Sequence, residues 1–109
     1  MKILIYSDNQ WVIESIEKYI DFEYELLKNV DLESLNQRID YIFVDMQVKN
    51  NGGPSIIRDL KRDKITKNTP IALIADRDAD EFQAKRVGAD FFAVKPVSKT
   101  KLNKFFNLK

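Results

Sequence analysis

The sequence predicts a doubly wound α/β domain, a five-stranded parallel sheet with helices on both faces. Three observations carry this. Short, continuous apolar runs recur along the 109 residues, each too short for a helix and too uniform for a half-exposed strand. Segments with helical spacing of apolar residues lie between them. Several of the runs end in a charged residue at a polar loop, the edge where open α/β sheets gather their chemistry.

Ile3-Leu4-Ile5-Tyr6 is the first strand, and Ser7-Asp8-Asn9-Gln10 is its exit. Residues 11–20 follow as a helix, with Ile13, Ile16 and Ile20 on one stripe joined by Val12 and Tyr19, and Asp8 or Asn9 near its N-cap. Residues 24–30 form a second strand whose Glu25 and Lys28 suit a sheet edge. Asp31 is expected to cap a short helix over 32–38, with Leu32 and Leu35 inward.

Asp40-Tyr41-Ile42-Phe43-Val44-Asp45 is the central strand and delivers the carboxylate of Asp45 to a loop closing on Gly52 and Gly53. A helix spans 54–62, since proline suits a first turn whose N–H needs no partner, and Ile56, Ile57 and Leu60 form its apolar face. Residues 71–75 are the fourth strand. Asp78 and Glu81 have capping-box spacing for a helix that stops at Gly88. Residues 91–94 are the fifth strand, and Ser98 caps a last helix over 99–107 with Leu102, Phe105 and Phe106 inward.

Composition narrows the function. Eighteen basic and 17 acidic residues leave a net charge of +1, which offers nothing to nucleic acid or an anionic membrane. Cysteine and histidine are absent, which removes disulfides, thiol chemistry, the commonest metal ligand and the commonest general base. No run is long enough to span a membrane, and the opening residues are too short for a signal peptide, so a soluble cytoplasmic domain covering 1–109 is expected.

Right-handed crossovers put every strand's C-terminal end on one rim. Ser7 and Asp8, Asp45, Ala75 or Asp76, and Lys95 meet there. Singly, Asp45 could terminate a turn, Asp8 could cap a helix and Lys95 could be a solvated lysine. Together on successive strand ends they read as a site. Two carboxylates plus a carbonyl and water suit a hard cation such as Mg²⁺. A lysine supplies a point charge for a phosphoryl oxygen. A carboxylate can be a covalent acceptor. The rim therefore suits phosphoryl transfer to Asp45, with Mg²⁺ on Asp8 and Asp45 and Lys95 countering the charge.

The chain resembles the receiver domain of two-component response regulators nearly end to end. The resemblance rests on Ile3-Leu4-Ile5-Tyr6-Ser7-Asp8, on residues 40–45 with Gly53 at the family's loop spacing, and most specifically on Gly88-Ala89-Asp90-Phe91-Phe92-Ala93-Val94-Lys95-Pro96. It implies a flavodoxin-like sheet of order 2-1-3-4-5. It implies a phospho-accepting Asp45, Mg²⁺ held by Asp8, Asp45 and the Gln47 carbonyl, Lys95 on the phosphoryl group, and a cis peptide at Pro96. The family implies no catalysis beyond self-phosphorylation and autodephosphorylation.

Departures are specific. Ser7 stands where the family has a second acid, which should weaken Mg²⁺ binding. Ala75 stands where it has a hydroxyl residue, with a short deletion just after. Lys49 replaces a common proline, and Phe92 matches the switch aromatic. Without a hydroxyl at 75, Phe92 is expected to stay inward in either state.

The expected function is an atypical stand-alone receiver that takes phosphate from a histidine kinase or phosphotransfer protein. Its downstream protein target would bind the fourth helix, fifth strand and last helix. A degenerate receiver acting as a phosphorylation-independent interaction module is the rival favoured by Ser7 and Ala75. A metal-dependent hydrolase lacks a second acid near the nucleophile and a phosphate-binding glycine loop. A dinucleotide binder lacks G-x-G-x-x-G after the first strand.

Overall fold

Five strands, β1 (Lys2–Tyr6), β2 (Glu25–Lys28), β3 (Tyr41–Asp45), β4 (Ile71–Ala75) and β5 (Phe91–Val94), pair in the order β2-β1-β3-β4-β5. Every pairing is parallel. The computed structural model describes residues 1–108. The sheet is the flavodoxin-like one expected, and among the described residues no helix is long and apolar enough to cross a membrane.

Alternate side chains of a strand point to opposite faces, so continuous apolar runs need cover on both. Ile3, Ile5, Tyr41, Phe43, Ala72 and Ile74 pack with Val12, Ile13 and Ile16 of α1 (Gln10–Glu17) and with Leu102 and Phe105 of α5 (Lys99–Phe106). Leu4, Tyr6, Ile42, Val44 and Leu73 pack with Ile57 and Leu60 of α3 (Gly53–Arg62) and with Ala84 and Val87 of α4 (Glu81–Val87). An irregular turn, α2 (Val48–Asn51), precedes α3.

Local signals set the helix ends. Asn9, not Asp8, caps α1, its Oδ1 accepting from the Trp11 N–H at 2.9 Å. Pro54 sits in the first turn of α3. Gly88 takes the left-handed φ of 85° that stops α4. Ser98 Oγ accepts from the Lys101 N–H at 3.1 Å. β5 has the predicted bounds, and β2 lies at the sheet edge but is shorter than predicted.

Two expected features are corrected. Residues 32–38 do not form a helix; only Leu32–Ser34 make a 3-10 turn, and the Asp31 side chain caps nothing. So short a helix without a cap does not offset its nucleation cost. An extended backbone at Leu35 instead lets Leu35 and Ile39 both reach the core. The capping box at Asp78 is also absent. Asp78–Asp80 is a 3-10 turn without a side-chain cap, and Asp80 is buried against Arg77 at 3.0 Å. Only Asp76 and Arg77 separate this turn from β4, too little chain for a separate cap.

The buried Tyr6 hydroxyl donates to the Val30 carbonyl at 2.6 Å. Burial, with Asp31 and Asp63 nearby, pushes its pKa from 10.0 up to about 12. The raised value means the fold holds a proton that the unfolded chain gives up first. The stability tied to Tyr6 is therefore complete below pH 10 and is lost as pH rises to about 12. Tyr6→Phe should show a shallower fall in urea midpoint across that window than the parent. An identical fall in both would place the alkaline sensitivity elsewhere.

Candidate functional site

The C-terminal ends of β1, β3, β4 and β5 meet along one rim. Asp45 ends β3, the strand between β1 and β4, and is only 2% exposed. A buried carboxylate needs partners on both oxygens. Its Oδ1 accepts the Lys95 ammonium at 2.7 Å and the Gln47 N–H at 3.0 Å. Its Oδ2 accepts the Ser7 hydroxyl at 2.7 Å.

Ser7 is fixed by Asn29, the residue after β2. Asn29 has a left-handed φ of 51°, and its side-chain amide accepts from the Ser7 N–H and donates to the Ser7 carbonyl, both at 2.9 Å. Asparagine tolerates that backbone better than most residues, and its amide carries both a donor and an acceptor. The amide extends the rim by one step past the β1–β2 ladder.

Lys95 follows β5 and is joined by a cis peptide to Pro96, as the resemblance implied. Its ammonium lies between two acids, with Asp76 Oδ1 at 3.1 Å on the far side from Asp45. The other oxygen of Asp76 accepts from the Gln47 side-chain amide at 2.6 Å. That hydrogen bond, reinforced by Lys95, holds the Asp76 carboxyl below its ordinary pKa against the opposing effect of burial.

Asp8 faces the same cleft but is tied sideways, its Oδ2 accepting from the Lys49 N–H at 2.7 Å. Lys49, Asn50 and Asn51 all have positive φ, from 51° to 68°, so the loop after β3 makes a left-handed turn. The turn brings Gly53 against the backbone of β3. A Cβ at Gly53 would lie 2.6 Å from the Asp45 carbonyl oxygen, so this position admits only glycine without displacing the strand end.

The structure thus brings together Asp8, Asp45, Gln47 and Lys95 around an open cleft of about 400 Å³. Ala75 is fully buried at the end of β4 and brings no hydroxyl. Phe92 is half-buried, packed beside the α3 and α4 side of the core and not fully inward. Trp11 is exposed, in the first turn of α1. Sequence reasoning named Asp76 only as an alternative to Ala75 and missed Asn29. Asp76 had a legible position, directly after the fourth apolar run, whereas nothing in the weak pattern of β2 marked Asn29.

Solved structures with this arrangement of strands and helices have one architecture in common. The chemotaxis response regulator CheY4 of Vibrio cholerae superimposes with a TM-score of 0.80 at 23% identity, over 98% of this chain and 96% of that one. Its fold is that of response regulator receiver domains. The receiver domain of a Bacteroides fragilis response regulator gives a TM-score of 0.77 at 23% identity, over 98% and 93% of the two chains. A Burkholderia pseudomallei response regulator solved with a phosphorylated aspartic acid and a calcium ion gives 0.73 at 19% identity, over 96% and 65%. No protein-family model and no curated protein matches the receiver-like chain in sequence.

Proposed function

We propose that this chain is an atypical receiver module that accepts a phosphoryl group on Asp45 from a histidine kinase or phosphotransfer protein. The observation that carries the reading is the 2.7 Å pair of Asp45 and Lys95, at the end of the central strand of a receiver fold. In the transfer, an Asp45 carboxylate oxygen forms a bond to phosphorus as the P–N bond of the donor's phosphohistidine breaks. The departing imidazole takes up a proton. Lys95 neutralises charge on the phosphoryl oxygens, and Gln47 N–H steadies the carboxylate.

A divalent cation fits the donor set in a limited way. Asp8, Asp45 and Gln47 line one cleft, and carboxylate and carbonyl oxygens suit Mg²⁺. Among the described residues no three acidic side chains converge to hold a metal ion, so such an ion would lean on water and bind weakly. When bound it would neutralise phosphoryl charge. Ser7→Asp should bring a second carboxylate close to Asp45, because the serine Oγ lies 2.7 Å from Oδ2. Facing carboxylates repel unless a cation intervenes. The variant should melt below the parent without divalent ions and gain more from Mg²⁺, up to about 2.7 kcal/mol at a hundredfold excess over the dissociation constant. A melting temperature indifferent to Mg²⁺ in the variant would remove this metal site from the reading.

The face of α4, β5 and α5 is the surface we assign to a downstream protein target. Phe82 is 73% exposed on α4, and a cleft of about 320 Å³ between Glu81, Phe92 and Lys101 lies beside β5. A second reading, a phosphorylation-independent interaction module of the same fold, is favoured by Ser7 and Ala75. Intact mass after incubation with Mg²⁺ and acetyl phosphate separates the two. A phosphoryl adduct on the parent chain supports the acceptor reading, and its absence at saturating donor favours the second.

A further inference from the structure

We propose that Asp76 is a resident anion in the phosphoryl-receiving end of the cleft, and that Asp45 accepts its phosphoryl group only as the Asp76–Lys95 pair opens. The inference rests on Asp45 being the acceptor and adds what regulates it. Lys95 brings its ammonium into this cleft, where it is already shared, 2.7 Å from Asp45 and 3.1 Å from Asp76. The second oxygen of Asp76 takes the Gln47 side-chain amide at 2.6 Å. The carboxylate thus engages two donors that an incoming phosphoryl group would otherwise use.

Burial is unevenly divided between the two acids. Asp45 is buried at 2% side-chain exposure and gripped by three donors, whereas Asp76 is 40% exposed at the mouth of the cleft. Asp76 is therefore the group that swings out. A phosphoryl group adds between one and two negative charges at pH 7, and each must compete with Asp76 for the same ammonium. The repulsion acts at short range beside buried groups, where like charges interact more strongly than in water. Bond making is unchanged: phosphorus passes from the donor oxygen or nitrogen to Asp45, and Asp76 forms no bond.

The test compares the parent with Asp76→Asn and Asp76→Glu. Beryllofluoride with Mg²⁺ is titrated by Trp11 fluorescence, and Asp45 is labelled with acetyl phosphate. Asp76→Asn keeps the shape and removes the charge, and should bind beryllofluoride about tenfold more tightly and label faster. Asp76→Glu keeps the charge and should stay near the parent. Binding in Asp76→Asn that is within twofold of the parent, or weaker, would overturn the proposal; weaker binding would make Asp76 a positioning residue for Lys95. If labelling of Asp45 persists in that case, the acceptor reading stands alone. If no variant binds or labels, both fall.

Discussion

Asp45→Asn should abolish covalent phosphorylation completely, with no adduct by intact mass under conditions that label the parent. Asparagine keeps the size and an oxygen for the Ser7 hydroxyl but loses the anionic nucleophile. The fold should survive. Stranding a buried charge commonly costs about 3–5 kcal/mol, but Lys95 would retain Asp76 at 3.1 Å, so a smaller loss is expected. A melting curve on the same sample separates lost chemistry from lost structure. An adduct that persists in the variant would put the acceptor on another residue.

Phe105→Ala should be the most damaging of these substitutions for stability. Phe105 is fully buried, with ring centroids 5.5 Å from Tyr41 and 5.0 Å from Phe43, and it seats α5 against β3. Removing a buried phenyl typically costs about 3–5 kcal/mol, from lost transfer energy and the cavity left behind. For a chain of this size that lowers the melting temperature by about 15 °C or more. Phe82→Ala, on an exposed ring, should change little by comparison. Similar losses at both positions would mean that α5 does not dock as described.

Elements with one dominant physical signal were legible in sequence. The apolar runs of β1, β3, β4 and β5 admitted little but buried strands, and Gly88 and Ser98 marked helix ends through backbone and side-chain chemistry that few residues supply. Residues 32–38 failed because Leu32 and Leu35 satisfy a helical spacing as well as a turn followed by extended chain, and the choice depended on where Ile39 had to reach. The site divides the same way. Asp8, Asp45 and Lys95 could be placed by strand position alone. That Lys95 serves two acids could not, since the sharing depends on the reach of a long side chain and on the Gln47 amide.

Strand order also sets an order in time. β1 has the interior place between β2 and β3, so the first strand synthesised completes its pairing only when Tyr41–Asp45 has emerged. Parallel pairings of this span pay loop closure before they gain contacts, which slows folding relative to a helical bundle. Lys95, carried by the last strand, is the final part of the rim to arrive. Docking β5 onto β4 both finishes the hydrophobic layer and brings the Lys95 ammonium to the Asp45 carboxylate.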